Sequence, residues 1–423
     1  MDWFETYESD IRAYSRMYPA VFVKGDNARQ TDEEGKTYID FYAGAGVLNF
    51  GHNNPKMTQA MVDYLQNGGV IHSLDMMTPP KRDFIQAFVE TILKPKKMDY
   101  KLQFMGPTGT NAMEAALKLA RKVTGRELVV SFTQGFHGMT LGALACTANR
   151  YFRDAAGVSL QNVMRWPFEN HQGGGLESLQ TLRSLFENSS SGISAPAAFV
   201  VEVVQAEGGV NVASTEWMQV LQSLAHDLGA LLIVDDIQAG CGRTGNYFSF
   251  EEMGIKPDIV TLAKGIGGMG TPMAMNLVKP EHDKHWQPGE HTGTFRGQNL
   301  SFIAGREALR YFDDDTLMQT TRKKGEVMRQ ALQVIADSYP DKSFEVRGKG
   351  MMQALDIKDG VLSKAIAKDC FENGMLFGPC GIGGEVMKLI PPLTIPDEDL
   401  QKGLTLFKEA VDRQIKLAAK KVA

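Results

Sequence analysis

Cysteine is scarce: four thiols, Cys146, Cys241, Cys370 and Cys380, lie far apart in 423 residues. That spacing excludes a disulfide framework and any paired Cys-x-x-Cys metal site, so reduced, buried thiols are expected. A charge of one sign is missing as well, since 45 Lys and Arg stand against 50 Asp and Glu, a net charge of −5. Without a dense basic run, nothing tracks a phosphate backbone, and nucleic acid is not expected as a partner. No apolar stretch reaches the length of a membrane span, and Met1-Asp2-Trp3-Phe4-Glu5 places acids where a signal peptide carries a basic stretch. The expectation is a cytoplasmic, unprocessed protein without a membrane partner. Long Pro- or Ser-rich linkers and solenoid repeats are also lacking; the softest stretch is His171 to Pro196.

What is present is the balance of an ordinary globular chain, 43% hydrophobic and 22% charged. Its length exceeds what one core usually serves. From about Gly106 to Phe250, helical patterns alternate with short apolar runs. Helices are predicted over Asn111–Arg121 and Thr215–Leu228, strands over Leu128–Phe132, Ala198–Val204 and Leu231–Val234. That alternation predicts an α/β fold with a mostly parallel sheet. Beyond Asp315 come a long helical pattern, strands at Phe344–Val346 and Gly350–Asp356, and a charged helix from Asp397 to Lys421. The expected division is a large domain over residues 51–325 and a smaller α+β domain over 326–423. Residues 1–50, with a turn at Asp32-Glu33-Glu34-Gly35, are expected to pack with the smaller one.

Gly265-Ile266-Gly267-Gly268-Met269-Gly270 matches the dinucleotide-binding pattern G-x-G-x-x-G and follows an apolar run, so a nicotinamide dehydrogenase has to be weighed. Thr271-Pro272-Met273 continues it poorly as a helix facing a pyrophosphate, and Lys264 stands directly before the glycines. A lysine at the end of an apolar strand among small residues is partly desolvated, which lowers its pKa and favours Schiff-base chemistry. Asp235 and Asp236 end the buried run Leu231–Val234, where an acid needs a partner. A protonated pyridine nitrogen would be one; a metal or a cap would be others. Gly106-Pro107-Thr108-Gly109-Thr110-Asn111 precedes a helix, and such a turn offers N–H groups and hydroxyls to a phosphate, or is simply an N-cap through Thr110 or Asn111. His282, His285 and His291 match no zinc spacing, and no metal is expected.

Together these residues resemble the class III pyridoxal-phosphate aminotransferases, of fold type I, along essentially the whole chain. The resemblance runs through Gly51-His52-Asn53-Asn54-Pro55, the Gly106–Asn111 cup with its helix, Phe136-His137-Gly138, Glu202 to Gly209, Asp235 to Gly245, Lys264, and Thr292-Gly293-Thr294-Phe295. It implies pyridoxal 5'-phosphate as cofactor, with Lys264 as the Schiff-base and proton-shuttling residue and Asp235 holding the pyridine nitrogen protonated. Gln238 would bond the phenolic oxygen, Gly109 and Thr110 the phosphate, and Phe136 would stack on the ring. His137 and Glu202 match positions near the cofactor. Thr294 matches a threonine that reaches the phosphate from a neighbouring subunit, which implies a homo-oligomer with shared active sites.

Within the family, the resemblance is to its diaminobutyrate-forming branch, which serves ectoine synthesis. It implies L-glutamate and L-aspartate 4-semialdehyde as small-molecule substrates in a ping-pong exchange. Glu207 matches a glutamate that swings on and off an arginine in relatives. Here Lys388 takes the arginine's place, a point charge instead of a fork.

Overall fold

The computed structural model describes residues 3–422; Met1 and Asp2 of the acidic opening, and Ala423, lie outside the described residues. A seven-stranded sheet forms the centre. In chain order its strands are β1 (Lys101–Phe104), β2 (Val129–Phe132), β3 (Val163–Trp166), β4 (Ala198–Val201), β5 (Leu231–Asp235), β6 (Ile259–Leu262) and β7 (Met275–Val278). Their spatial order is β1-β7-β6-β5-β4-β2-β3. Only β7 runs against its neighbours, pairing antiparallel with both β6 and β1; the rest pair in parallel.

The continuous apolar runs of the central strands follow from burial on both faces. Leu231 and Ile233 of β5, with Ala198 and Val200 of β4, join one core beneath Met113, Leu117 and Ala120 of the helix Gly109–Thr124. The alternate residues Leu232, Val234, Phe199 and Val201 join the main core with Trp217 of the helix Thr215–Asp227. The period of two along a strand divides each run between the two layers.

The run predicted as one strand over Ala198–Val204 breaks after Val201 and resumes at Val204–Gln205. The intervening Glu202 lines the central cavity. The glycine run after β6 forms a short 3-10 turn, Lys264–Gly267, and leads without a helix to β7, so the dinucleotide-binding reading is overturned by its context.

Two four-stranded sheets flank this body. One joins Phe22–Asp26, Arg29–Asp32 and Thr37–Asp40 to Met375–Leu376, so the N-terminal strands pair with C-terminal chain. The other is ordered Glu345–Lys349, Met352–Asp356, Val386–Leu389, Gly378–Cys380 and packs on the helix Thr316–Asp337. Among the described residues, no helix is long and apolar enough to cross a membrane.

Candidate active site

The carboxyl ends of β1, β2, β4, β5 and β6 open onto one cavity of about 420 Å³, within the usual size of small-ligand sites. Into it the sheet edge delivers Gly109 and Thr110 beyond β1, Phe136 and His137 beyond β2, Glu202 and Glu207 beyond β4, Asp235 and Gln238 at the end of β5, and Lys264 beyond β6. Thus every expected site residue but Thr294 lines the same space. Thr294 lies on an exposed loop, where its carbonyl accepts a 2.7 Å bond from His72 Nε2.

Asp235 is buried at the strand end. His137 Nδ1 lies 2.8 Å from its Oδ2, while Ile237 N and Thr261 Oγ1 donate to Oδ1 at 3.2 and 3.3 Å. Burial opposes a charge on His137, but the bond to Asp235 outweighs it and raises the imidazole pKa. Glu202 is pushed up to about 8 by burial, with Phe136 N donating to its Oε2 at 2.9 Å. The neighbouring acid has a different fate: Asp236 points the other way and takes Ser249 Oγ at 2.5 Å and Ser249 N at 3.2 Å.

Burial lifts Asp236 from an ordinary 3.8 to about 7. Between those values the folded state keeps a proton that the unfolded chain has released, so stability falls as pH rises through that window. Asp236→Asn is expected to flatten the fall, by roughly 3 kcal/mol between about pH 4 and 7. Chemical denaturation of both proteins across that range checks this; parallel curves would refute it.

Lys264 occupies a left-handed conformation, φ 52°, which costs a side-chain-bearing residue energy and is retained where the geometry is used. Burial lowers its ammonium pKa, with Glu207 and Asp235 opposing and Lys388 adding to the shift. At the far wall, Lys388 is 1% exposed and donates to Glu207 Oε1 at 2.5 Å and Gln238 Oε1 at 3.3 Å. Burial alone would raise Glu207, but Lys388 overrides it and holds the carboxylate below its ordinary range. Gln238 Nε2 donates to Ala45 O at 2.6 Å. Ala45 belongs to a left-handed turn in which Ala43 has φ 49° and Ala45 φ 58°.

The helix after the Gly106–Thr110 turn begins at Gly109, and its N-cap is Thr108, whose Oγ1 accepts from Asn111 N at 3.2 Å. Thr110 and Asn111, the caps expected from sequence, are therefore already helical. Thr110 Oγ1 instead lies 2.7 Å from Thr140 Oγ1, which in turn donates to Glu114 Oε1 at 2.6 Å. Neither Glu114 nor Thr140 was singled out by sequence reasoning; their meeting depends on the chain returning after β2.

The residues fit pyridoxal phosphate. The first N–H groups of the helix lack intrahelical acceptors and suit a phosphate. The turn is also stripped of side-chain bulk: a Cβ on Gly138 would come within 2.3 Å of Thr110 Oγ1, and one on Gly109 within 2.9 Å of Ile237 Cδ1. A carboxylate for a ring nitrogen and an amine for an aldehyde share the same cavity.

Residues 11–411 match the family described as aminotransferase class-III. The chain belongs to the class III aminotransferases. This aminotransferase is 48% identical over 408 residues to the diaminobutyrate--2-oxoglutarate transaminase of Wolinella succinogenes, covering 96% of this chain and 95% of the relative. To the enzyme of the same name from Halomonas elongata it is 49% identical, covering 96% and 97%. Its fold matches the ornithine aminotransferase of Toxoplasma gondii ME49 with a TM-score of 0.84 at 25% identity, covering 99% of this chain and 94% of the other. As a class III aminotransferase it is a pyridoxal-phosphate enzyme of fold type I.

Proposed function

We propose that the protein moves the amino group of L-glutamate to the aldehyde carbon of L-aspartate 4-semialdehyde, yielding 2-oxoglutarate and L-2,4-diaminobutyrate, in the service of ectoine synthesis. The observation that carries this reading is the naming of relatives matched at 48 and 49% identity along nearly their whole length. When bound, pyridoxal phosphate supplies an electron sink and a carrier for the amino group. Lys264 would act as the base and acid that carries a proton between the substrate carbon and the cofactor's C4′. Asp235 would keep the ring nitrogen protonated, its carboxylate oriented by His137. Gly109 and Thr110 would hold the phosphate, Phe136 would cover a ring face and Gln238 would serve the phenolic oxygen, with Glu202 lining the same cavity.

One cavity must accept glutamate at its α-amine and diaminobutyrate at its terminal amine, so a carboxylate sits beside the reacting carbon in one half-reaction only. Glu207, with a side chain 36% exposed against 1% for Lys388, is the member of the pair able to leave. When Glu207 turns away, Lys388 offers its charge to the substrate carboxylate. Glu207→Ala is therefore expected to change the two half-reactions unequally, in stopped-flow traces with each donor; equal losses would argue against the switch.

A second copy of the chain supplies Thr294. Its loop carries the exposed Phe295, beside Leu74, Met76 and Met77, which are exposed as well, and an apolar patch of this kind marks an interface. The proposed setting is the cytoplasm, where four free, buried thiols stay reduced.

The test of the substrate reading is the visible absorption of the cofactor-loaded protein before and after L-2,4-diaminobutyrate, with ornithine and 4-aminobutyrate in parallel. Fastest bleaching by diaminobutyrate supports it; preference for either alternative replaces the substrate and keeps the chemistry.

A further inference from the structure

Arg243 is among the largest fully buried side chains, yet no carboxylate pairs with it among the described residues. Its charge is met by neutral oxygens from three distant stretches of chain. Nη1 donates to Met351 O at 3.1 Å and Pro391 O at 2.5 Å, and Nη2 to Asn49 Oδ1 at 2.6 Å. Nε is left without a partner. Burial pulls the guanidinium down to about 9, which still leaves it charged at neutral pH. A buried charge with no ion-pair partner is costly even when hydrogen-bonded, and the attraction of Asp40 offsets only part of its desolvation. Fold stability is therefore a weak reason for an arginine here.

Two of the three stretches that Arg243 grips lead to residues around the cavity. Pro391 follows three residues after Lys388, and the chain on either side of it is laced to the N-terminal stretch by Ile390 N donating to Phe41 O and Leu393 N to Asn49 O, both at 2.8 Å. Asn49 closes the turn whose Ala45 carbonyl holds Gln238, and its Nδ2 donates to Cys241 O at 2.9 Å. Met351 N returns a bond to Arg243 O at 3.0 Å. Arg243 itself lies on the loop that follows Asp235. We infer that Arg243 is a positioning residue: one guanidinium sets the Lys388–Glu207–Gln238 wall at a fixed height above Asp235 and Lys264. Its fork matters, because the acceptors are divided between two nitrogens, Nη1 and Nη2, whereas an ammonium would have to reach all three from one.

The inference rests on the proposed function only for the choice of substrate. The experiment compares cofactor-loaded Arg243→Met, Arg243→Lys and Asn49→Ala with the parent protein by hydrogen exchange and by steady-state kinetics with L-glutamate. In Arg243→Met, exchange in residues 386–393 and 43–49 is expected to quicken about tenfold or more, while 231–235 keeps its rate. KM for L-glutamate is expected to rise about tenfold with kcat within about threefold, the lysine variant falling between. Unchanged exchange in both stretches, or loss of kcat with KM untouched, overturns the inference. If Arg243→Met does not fold, Asn49→Ala decides by the same exchange readout, unchanged rates again overturning it. Should the parent protein ignore L-glutamate, the substrate reading fails, and exchange still decides the role of Arg243.

Discussion

Lys264→Ala is expected to abolish turnover, by about ten-thousand-fold or more, the upper end of what a positioned proton-transfer group supplies, since the same amine also serves as nucleophile. Three observations support so large an effect. Lys264 lies within the cavity at the end of β6, its backbone is held left-handed, and burial favours the neutral amine that both tasks require. Lys264→Arg separates charge from chemistry. It keeps a long basic side chain but offers no nitrogen that deprotonates, so it should be as inactive as the alanine variant. Rates of both half-reactions and the visible spectrum of each purified variant check this. Activity surviving in either would remove Lys264 from its assigned role.

Asp235→Asn is expected to lower kcat by about a hundred- to a thousand-fold, the usual consequence of deleting one preorganised electrostatic partner from a buried site. Asparagine keeps the shape and can still accept from Ile237 N and Thr261 Oγ1, so the fold should survive. What disappears is the negative charge proposed to face the ring nitrogen, together with the interaction that raises His137. Asp235→Glu keeps the charge on a longer stem and should fall between the two. Single-turnover rates at saturating cofactor distinguish a chemical defect from weaker cofactor binding. An asparagine variant with parental rates would show that the nitrogen needs no counter-charge.

Much of this was legible in one dimension because it depends on local pattern. The runs Leu231–Val234 and Ala198–Val201 are apolar at every position, and only a strand covered on both faces accepts that. Lys264 and Asp235 stand at strand ends, where a parallel sheet gathers its loops at one edge, so their meeting follows once the sheet is granted. Even so, sequence reasoning named Thr110 or Asn111 as the cap where Thr108 performs that task. The three neighbours differ in sequence only subtly, and the first helical φ/ψ decides among them.

Other features needed the assembled molecule. Asp235 and Asp236 are indistinguishable as adjacent acids, yet one faces the cavity and the other Ser249, because strand pleating sends neighbours to opposite sides. The 2.5 Å contact between Glu207 and Lys388 joins residues separated by 181 positions. Arg243 reaches partners 108, 148 and 194 positions away, and nothing in its own neighbourhood announces them. The sequence by itself determined the α/β architecture through periodicity, while its family motifs pointed to the cofactor and nominated Lys264 and Asp235 at strand ends as the reacting amine and its acid partner. Tertiary structure alone decided the pairing of Glu207 with Lys388, the separation of the twin aspartates and the anchoring of the far wall through Arg243. Those depend on distances across the fold, which only packing of the flanking sheets against the central one can set.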